Sequence, residues 1–444
     1  MLSLSEVERV FALQKAAIWR HKTSSAAQRR ELLVRLRDRL HKAGEEVAEA
    51  LLKDMGRPKT AMPFDLQNTI DAADEAIEKL DGWMAPTPVA PKTADADVRS
   101  YIHYEARGVV LILGPWNFPF HLCVEPLIAA IAAGNSVIIK PASTSPATSA
   151  LVAAIVREVF DESDAAVFEG DSKLATALLD KPFDHIFMTG SPKVGKMVMA
   201  AAAKHLASVT LELGGKNPAI IDRSADIDGA AYALAVGRTM NAGQTCLSID
   251  YVLVPTEMSD ALTGKMIELF KEGFYKDGEF QADKLGRFID ADNYWRVRGY
   301  IDEAVSLGAR LVFGGASDAE ALTMEPTILA DVSPEATVMD DEIFGPVTAI
   351  IPYDDLEDAL KIIHHHGKPL GFCIFSRNEA FVQEVVNNTT SGGVSVNCWI
   401  DHYFDGRLPF GGVNGSGIGH YHSIYGFREF SHQRAVFERG MAAA

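Results

Sequence analysis

Hydrophobic residues recur at helical spacing through the first part of the chain. Between residues 4 and 84 they fall three or four positions apart, as in Leu33, Leu36 and Leu40, which is the period of one helical face. Prolines at positions 86, 88 and 91 interrupt this pattern and predict an extended connector. Residues 99–105 then alternate like an exposed strand. We therefore predict a helical opening, a connector and one exposed strand.

Beyond this strand, short β-branched runs alternate with helical patterns. A first set of predicted strands covers 109–113, 136–140, 165–168 and 184–188, with helices at 126–133 and 147–159. A second set covers 208–213, 218–221, 251–254, 347–351 and 371–375, with helices at 260–270 and 293–306. Repeated strand–helix–strand units predict an α/β fold with parallel sheets. Such sheets bind ligands at the carboxyl ends of their strands.

Composition narrows the classes of partner. The 444 residues are 48% hydrophobic and 23% charged, with a formal net charge of −18, which is ordinary for a globular protein but opposes a polyanion. The first twenty residues mix charges into an apolar pattern, unlike a signal peptide. The most apolar region, 109–134, is interrupted by three prolines and a glutamate, so it does not match a membrane helix. We expect a cytoplasmic protein with no nucleic-acid or membrane partner.

The cysteines and histidines do not indicate a metal site. Cys123, Cys246, Cys373 and Cys398 are scattered without CxxC spacing, which argues against structural zinc and against a disulfide framework. Three consecutive histidines occur at 364–366, but adjacent residues point in different directions. We therefore expect no bound metal.

One thiol and one carboxylate stand out. Cys246 ends the segment Asn-Ala-Gly-Gln-Thr-Cys, and Glu212 lies upstream in Leu-Glu-Leu-Gly-Gly-Lys at 211–216. Together they suggest covalent catalysis followed by hydrolysis. A lone cysteine is more often an inert buried hydrophobe, so the interpretation depends on the other motifs.

Two motifs are suited to phosphate and ribose groups. Gly190 to Gly195 forms a glycine-bearing turn between a predicted strand and a helix, and a helix N-terminus can hold a pyrophosphate. The alternative is an ordinary tight loop. Lys140 ends a predicted strand and could reach an adenine ribose or its phosphate, although the motif taken alone favours a surface lysine before a proline turn.

Two further loops carry candidate polar groups. Asn117 lies in a loop stiffened by Pro115 and Pro119, so its amide could stabilise an oxyanion from a fixed position. Glu342 and Phe344 precede another turn. The carboxylate could hold ribose hydroxyls, or the segment could be one more acidic loop.

Seven motifs follow one another between about residue 5 and residue 435. They are Pro-Trp-Asn-Phe-Pro at 115–119, Lys-Pro at 140–141, Gly-Ser-x-x-Val-Gly at 190–195, Leu-Glu-Leu-Gly-Gly-Lys at 211–216, Gly-Gln-Thr-Cys at 243–246, Glu-Ile-Phe-Gly-Pro at 342–346 and Leu-Pro-Phe-Gly-Gly at 408–412. In this order and spacing the chain resembles the NAD(P)-dependent aldehyde dehydrogenases. The connector at Trp83 and the ending at 419–432 are similar to the class-three branch, which includes fatty, benzaldehyde-type and coniferyl aldehyde dehydrogenases.

The resemblance implies an aldehyde dehydrogenase fold in three parts. A Rossmann-like parallel-sheet coenzyme domain would comprise residues 1–85 and 106–207, and an α/β catalytic domain would comprise residues 208–393. A small bridging element would comprise residues 86–105 and 394–444. Relatives commonly form dimers through that element, so a homodimer is expected.

The resemblance also implies roles for individual residues. Cys246 would attack the aldehyde, Asn117 and the backbone N–H of Cys246 would hold the oxyanion, and Glu212 would activate the hydrolytic water. The cofactor, NADP and/or NAD, would contact Trp116, Lys140, Ser143, Gly190, Ser191, Gly195, Glu342 and Phe344.

Two positions depart from the family pattern. Ser143 stands where NAD-preferring relatives often carry a glutamate, and the missing carboxylate removes a repulsion against a 2′-phosphate, so we predict that NADP is used. Asn414 stands where many relatives carry glycine, near the expected mouth of the substrate channel, and its effect stays open.

The substrate pocket carries a further expectation. Trp399, Tyr403 and Phe404 would suit an aromatic or medium-chain aldehyde, although aromatic clusters often serve packing alone.

Two other functions are alternatives to an oxidising, hydrolytic enzyme. A coenzyme A-acylating dehydrogenase does not need a general base at Glu212, so that residue counts against it. A silent binding protein with the same fold usually loses the nucleophile, whereas this chain keeps Cys246, Glu212 and Asn117 together. The expected substrate is therefore a small aldehyde that is oxidised to the acid.

Overall fold

The predicted helical opening is confirmed. The structure, a computed structural model, describes residues 4–90 and 97–440, apart from the side chains of 61–63; the proline at position 91 lies outside these residues. The opening helices are Leu4–Lys22, Ala26–Leu40, Gly44–Met55 and Met62–Met84. The second begins with a capping box between Ser25 and Gln28, and Gly56 ends the third in the left-handed conformation.

A six-stranded sheet is built mainly from the first predicted set of strands. Its order across the sheet is Gly417–Ile418, Ser208–Glu212, His185–Thr189, Val109–Leu113, Ser136–Lys140 and Ala165–Val167. All neighbours are parallel except the first pair. Helices His121–Ala132, Pro146–Val159, Ser172–Leu179 and Pro192–Ala203 connect its strands.

The strand order reverses beside Val109–Leu113. From this strand the chain first adds Ser136–Lys140 and Ala165–Val167 on one side, then returns to add His185–Thr189 on the other. Loops that leave two such neighbouring strands diverge, and a crevice opens between them at their carboxyl ends. The loops that begin at Gly114 and Gly190 therefore border the expected ligand crevice.

A seven-stranded sheet forms the second large unit. Its order is Arg310–Phe313, Thr327–Ala330, Val347–Tyr353, Tyr251–Pro255, Pro218–Ile221, Gly371–Phe375 and Gly393–Val396, and only the first pair is antiparallel. Its helices are Ile227–Thr239, Ser259–Phe274, Ala291–Ser306, Thr337–Asp340, Leu356–His365 and Glu379–Asn388. Every residue of Tyr251–Pro255 is buried, as expected for a parallel strand covered on both faces. The predicted α/β fold is confirmed.

A three-stranded antiparallel sheet joins distant parts of the chain. Val98–Ala106, which confirms the predicted exposed strand, pairs with Thr87–Val89 and with the C-terminal strand Ser431–Arg439. The smaller elements are the strand pairs Tyr275–Lys276 with Glu279–Phe280 and Ser317–Asp318 with Thr323–Met324, and the helices Asp401–Phe404 and Ser423–Glu429. Among the described residues, no helix combines the length and apolar character needed to cross a bilayer.

Sheet membership differs from the predicted domain borders at two places. Ser208–Glu212, which the sequence analysis put in the catalytic domain, pairs in parallel with His185–Thr189 of the first sheet. Gly393–Val396, which spans the predicted start of the bridging element, is an edge strand of the second sheet. Pairing partners are chosen by long-range contacts, which a local hydrophobic run does not reveal.

Candidate active site

Cys246 follows a turn that only a glycine can complete. Asn241, Ala242 and Gly243 are all in the left-handed region, with φ of 53°, 53° and 74°. A Cβ atom on Gly243 would lie 2.2 Å from the carbonyl oxygen of Gly345, so a side chain has no room there. The turn therefore has one compact conformation directly before the thiol.

Side-chain amides hold this turn in place. Gln244 donates through Nε2 to the carbonyl oxygens of Asn241 at 3.0 Å and Arg287 at 3.1 Å, and its Oε1 accepts from the backbone N–H of Ile289 at 3.1 Å. Asn217 donates to the carbonyl oxygen of Cys246 at 2.7 Å. These buried bonds link the turn to both neighbouring loops, which fixes the position of the thiol.

The Cys246 thiol is half-buried and unpaired. Burial raises its pKa above the usual value, and the charges of Glu342 and Glu212 add to the rise. The thiol form is therefore favoured at neutral pH, and a nucleophilic attack requires a nearby group that accepts the proton.

Glu212 is a carboxylate that could accept this proton, because it lines the same cavity as the thiol. It ends the strand Ser208–Glu212, is 3% exposed, and neither carboxylate oxygen has a hydrogen-bond partner among the described residues. Burial, followed by the charges of Glu429 and Glu125, raises its pKa well above the ordinary value. A carboxyl in this state can accept a proton nearer neutral pH than an exposed one.

Asn117 is tied directly to the cysteine turn. Its Nδ2 donates to the carbonyl oxygen of Gln244 at 3.2 Å, and its own carbonyl oxygen accepts from Asn241 Nδ2 at 2.9 Å. The side chain is 4% exposed. The loop after Val109–Leu113 and the turn before Cys246 therefore form one rigid unit.

An open cleft of about 600 Å³ brings most of the predicted site residues together. Its lining includes Trp116, Asn117, Lys140, Gly190, Ser191, Glu212, Cys246, Glu342 and Phe344. Two predicted residues are not in the lining: Ser143 is exposed, and Gly195 is buried within Pro192–Ala203 and packs against Leu213. The cleft lies at the carboxyl ends of the first sheet, where the strand order predicts a ligand site.

One end of the cleft is suited to an anionic group. Ser191 caps Pro192–Ala203, its hydroxyl accepting from the N–H of Val194 at 3.5 Å, and Gly190 donates its N–H to the carbonyl oxygen of Glu212 at 2.9 Å. The helix therefore directs its positive N-terminal end at the cleft. Lys140 lies nearby, mostly buried, with Nζ donating to the carbonyl oxygen of Pro141 at 3.1 Å. Burial lowers the pKa of this lysine.

The other end of the cleft carries a carboxylate and two rings. The rings of Trp116 and Phe344 meet edge to face with 5.3 Å between centroids, and Phe344 has a left-handed φ of 52°. Glu342 lies against Gly214, and its Oε1 has no hydrogen-bond partner among the described residues. Burial, followed by the charges of Asp250 and Asp341, raises the Glu342 pKa. An acceptor without a partner here is suited to ligand hydroxyls.

A second, narrow pocket lies beside the same thiol. Thr189, Glu212 and Cys246 line both this pocket and the open cleft. The rest of the pocket wall consists of His121 and Thr245 with apolar and aromatic residues: Phe64, Phe118, Leu122, Leu247, Leu370, Ile400, Tyr403, Phe410 and Tyr421. We name this the apolar pocket.

Two predicted pocket aromatics and Asn414 lie elsewhere. Trp399 donates its indole N–H to the carbonyl oxygen of Leu247 at 2.8 Å and is buried behind the pocket, whereas Phe404 is largely exposed. Asn414 accepts from Lys368 Nζ at 2.7 Å, in a surface cavity that also borders Glu342. Of the three predicted aromatic residues, only Tyr403 is in the pocket lining.

Comparison with known proteins decides the family. The profile of the aldehyde dehydrogenase family matches residues 2–436. The chain belongs to the aldehyde dehydrogenase family. The predicted family and enzyme class are thereby confirmed, and this aldehyde dehydrogenase is an oxidoreductase.

Individual relatives are similar over almost the full length. The AldX protein of Bacillus subtilis (strain 168) is 43% identical over 434 residues, covering 97% of each chain. The Rattus norvegicus protein named aldehyde dehydrogenase, dimeric NADP-preferring is 38% identical over 421 residues, covering 95% of this chain and 92% of the relative. A solved structure of the substrate-bound state of Staphylococcus aureus AldH has a TM-score of 0.93 and 35% identity, covering 99% of this chain and 95% of its own. The predicted aldehyde dehydrogenase fold is therefore confirmed.

A buried ionic network holds the loop that carries Glu342 in the aldehyde dehydrogenase site. The sequence did not predict this network. Asp250 pairs with Arg238 at 2.7 Å and with Lys216 at 3.5 Å. Arg238 donates to the carbonyl oxygen of Gly345 at 2.9 Å, and Lys216 donates to that of Asp341 at 2.8 Å. The network thereby fixes both sides of the loop that carries Glu342. The sequence signal was Lys216 at the end of the Leu-Glu-Leu-Gly-Gly-Lys motif.

Thr189 was also missed. It ends the strand His185–Thr189, its Oγ1 is buried without a hydrogen-bond partner among the described residues, and it lines both cavities. Its place at the carboxyl end of a parallel strand was the available signal. In residues 4–90 and 97–440, no group of three or more potential metal ligands is close enough to hold an ion.

Proposed function

We propose that this aldehyde dehydrogenase oxidises an apolar aldehyde to its carboxylic acid, with Cys246 as nucleophile and Glu212 as general base. One observation carries the proposal: Cys246 and Glu212 line both the open cleft and the apolar pocket. A substrate in the pocket and a cofactor in the cleft would therefore meet at the thiol, which is the geometry that hydride transfer requires.

The proposed cofactor is NAD or NADP in the open cleft. Its pyrophosphate would face the N-terminus of Pro192–Ala203, a ribose would bind Glu342, and the ring would lie near Phe344 and Trp116. Glu342 Oε1, which has no hydrogen-bond partner among the described residues, and the helix N-terminus at the cleft support this fit. When bound, the nicotinamide supplies the hydride acceptor.

In the first step, Cys246 Sγ bonds to the aldehyde carbon and the carbonyl oxygen becomes an oxyanion. The thiol proton passes to Glu212, whose raised pKa suits it to accept. Asn117 Nδ2 and the backbone N–H of Cys246 would donate to the oxyanion, and the loss of one such donor typically costs about 3–4 kcal/mol. Loss of hydride from the former aldehyde carbon then leaves a thioester on Cys246.

In the second step, Glu212 first releases the thiol proton to solvent, and its carboxylate then removes a proton from water while the water oxygen attacks the thioester. The carbon–sulfur bond breaks, the acid leaves, and the water proton passes from Glu212 to the Cys246 thiolate. This use of Glu212 favours hydrolysis over acyl transfer to coenzyme A, which would not need the base. Neither carboxylate oxygen has a hydrogen-bond partner among the described residues, so both are available for water.

The proposed substrate is an aromatic or medium-chain aldehyde. The aromatic lining of the apolar pocket, from Phe64, Phe118 and Tyr403 among others, supports this. A relative from Staphylococcus aureus, 36% identical, is named for 4,4′-diaponeurosporen-aldehyde, a name that supports an apolar aldehyde but no particular chain length.

NADP use, dimerisation and a cytoplasmic location complete the proposal. Lys140 lines the cleft, and position 143 is a serine instead of a carboxylate. Both features support the use of NADP. The name of the rat relative supports a homodimer, which sedimentation of the purified protein would test. All four cysteines are free, which suits a reducing compartment.

The decisive experiment follows reduced-cofactor absorbance with benzaldehyde, cinnamaldehyde and hexanal, each with NAD and with NADP. Cys246→Ala should lose at least about 10³-fold in turnover, as removal of a nucleophile does. Cys398→Ala is the matched control, because Cys398 is half-buried and lines neither cavity, and it should retain activity. Full turnover in Cys246→Ala would refute the nucleophile, and activity only with added coenzyme A would favour acyl transfer.

A further inference from the structure

A buried ionic cluster is built partly into the wall of the apolar pocket, because His121 and Tyr403 both line that pocket. Glu125 Oε2 is 3.0 Å from His121 Nε2, and Glu125 Oε1 is 2.9 Å from His422 Nδ1. His121 Nε2 also lies 2.8 Å from the Tyr403 hydroxyl, and His121 Nδ1 lies 2.9 Å from Thr69 Oγ1. We call these five residues the histidine–glutamate cluster. None of them belongs to the proposed chemical steps.

Polar partners lie beside both ring nitrogens of His121. The Thr69 hydroxyl, which donates to the carbonyl oxygen of Asp65 at 2.5 Å, lies beside Nδ1. On the other side of the ring, Nε2 lies beside both the Glu125 carboxylate and the Tyr403 hydroxyl. We assign the contact between His121 and Glu125 as an ion pair.

The surrounding charges are consistent with that assignment. Burial alone would lower the pKa of His121, but Glu125, with a smaller contribution from Asp65, raises it above the usual value. Burial alone would raise the pKa of Glu125, but His422 and His121 hold it well below the usual range. Asp65 is paired with Arg57 at 2.6 Å, and the pocket side carries Glu212, Cys246 and Tyr421.

Four segments that supply pocket wall also supply members of the cluster. The helix Met62–Met84 supplies Phe64 to the wall and Thr69 to the cluster, and the segment around His121–Ala132 supplies Phe118 and Leu122 together with His121 and Glu125. The other two are Asp401–Phe404, which supplies Tyr403 to both, and the segment at Tyr421, which adjoins His422. The rest of the wall, including Thr245, Leu247, Leu370 and Phe410, comes from segments without a member of the cluster.

His422 also contacts the wall directly. Its ring packs against Tyr421 at 4.1 Å, Tyr403 at 4.5 Å and Phe410 at 5.1 Å between centroids. Its backbone has a left-handed φ of 75°, which is uncommon outside glycine and asparagine. The ion pair to Glu125 therefore holds a strained segment against three aromatic residues of the pocket.

We propose that His121, Glu125 and His422 are positioning residues that set the width of the apolar pocket and thereby its preference for large aldehydes. This inference rests on the proposed function, in which the pocket holds the aldehyde. A small aldehyde needs only the thiol and the oxyanion donors. A ring or chain needs the walls, and this cluster joins four of the segments that supply them, which lie far apart in the sequence.

Glu125→Gln tests the proposal, because it keeps the size of the side chain and removes its charge. We expect KM for benzaldehyde and cinnamaldehyde to rise about tenfold or more, since displaced walls misplace only the substrates that touch them. The charge of Glu125 also contributes to the raised Glu212 pKa, so the comparison is made at a pH above the Glu212 midpoint. There, KM for acetaldehyde, KM for the cofactor and kcat should stay within about threefold of wild type. Equal changes for large and small aldehydes would overturn the proposal, as would no change.

A double variant separates positioning from general damage. His121→Asn with Glu125→Gln replaces the ion pair by two neutral amides that can still hydrogen-bond one turn apart on the helix. The KM for benzaldehyde should return to within about threefold of wild type, giving a strongly non-additive cycle. Additive losses would refute an ion-pair role.

Two further variants provide a control for the change in charge and a second test of the proposal. Glu75→Gln makes the same chemical change in a neighbouring carboxylate that contacts Ser423 and Lys79 but no member of the cluster, and it should leave every KM unchanged. Tyr403→Phe removes only a hydroxyl, so it can test the proposal if Glu125→Gln does not fold. It should raise KM for benzaldehyde but not for acetaldehyde. If Cys246→Ala stays active, the proposed function fails instead, independently of these results.

Discussion

The carboxylate of Glu342 lies directly against the backbone of Gly214. A Cβ atom on Gly214 would come 2.2 Å from Oε2 and 2.6 Å from the carboxyl carbon of Glu342. Gly214 is not among the residues with positive φ, so glycine is required here for space and not for backbone freedom. The position of the proposed ribose-binding carboxylate therefore depends on the absence of a side chain two residues after Glu212.

Gly214→Ala should displace Glu342 and weaken cofactor binding. We expect KM for NADP to rise about 10- to 100-fold, with a smaller fall in the hydride-transfer rate, because a shift of about 1 Å can cost that much. Cofactor titration by fluorescence and single-turnover absorbance would measure the two effects. Gly264→Ala is the control, because a Cβ there has no heavy atom within 4 Å. Unchanged cofactor binding in Gly214→Ala would argue against a ribose role for Glu342.

Glu212→Gln should slow both proposed chemical steps, because Glu212 accepts the thiol proton in the first step and the water proton in the second. We expect a slower burst of reduced cofactor, followed by steady-state turnover lowered about 10²–10⁴-fold. Rapid-mixing absorbance would show the burst and the steady state separately. A burst at the wild-type rate would contradict the first role, and unchanged steady-state turnover would contradict both.

The pH dependence of hydrolysis should follow the raised pKa of Glu212. A protonated carboxyl cannot act as a base, so turnover should rise with pH through a midpoint well above the ordinary glutamate pKa of about 4.3. Glu429→Gln should move this midpoint to lower pH, because the charge of Glu429 is the larger of the two carboxylate contributions that raise it. A midpoint that moves upward in this variant would contradict the electrostatic account.

Glu212→Gln should also stabilise the protein, and only at the higher pH values. The folded-state pKa of Glu212 is raised, so the folded protein binds more protons than the unfolded chain between the two pKa values, and stability falls as pH rises through that window. Glutamine cannot ionise, and it avoids a buried charge without partners. We expect a gain of about 1–3 kcal/mol at pH 8 that disappears below about pH 4. Denaturation at both pH values would test this, and an equal gain at each would indicate a cause other than ionisation.

The strands could be predicted from sequence because local patterns encode them, but their partners could not. Val109–Leu113 and Ser136–Lys140 are found within the predicted limits because parallel strands buried on both faces are continuous β-branched runs. The sequence predicts a strand that covers Ser208–Glu212, but its pairing with His185–Thr189 depends on contacts between distant parts of the chain. The domain border after residue 207, which the resemblance implied, therefore falls between two paired strands of one sheet.

The proposed chemical residues could be predicted because motifs with fixed spacing carry them, whereas their surroundings could not. Cys246, Glu212 and Asn117 do line one cleft. His121 and Glu125 lie four residues apart on a buried helix, and their pairing with His422 spans about three hundred residues. A periodic helical pattern with two polar residues gives no sign of such a partner.

Ser143→Glu tests the proposed use of NADP at the position where the structure departs most from expectation. Ser143 is exposed and outside the cleft lining, while Lys140 and Ala142 are in it. A glutamate is long enough to bring its carboxylate toward Lys140, where it would repel a 2′-phosphate and accept hydrogen bonds from ribose hydroxyls.

We expect kcat/KM with NADP to fall about tenfold or more in Ser143→Glu, and kcat/KM with NAD to stay level or rise. Ser306→Glu adds the same charge on an exposed helix end outside the cleft, so it should leave the NADP-to-NAD ratio unchanged and thereby control for net charge. An unchanged ratio in Ser143→Glu would mean that position 143 does not reach the adenosine ribose. Lys140 would then be the residue whose substitution by methionine should lower NADP use selectively.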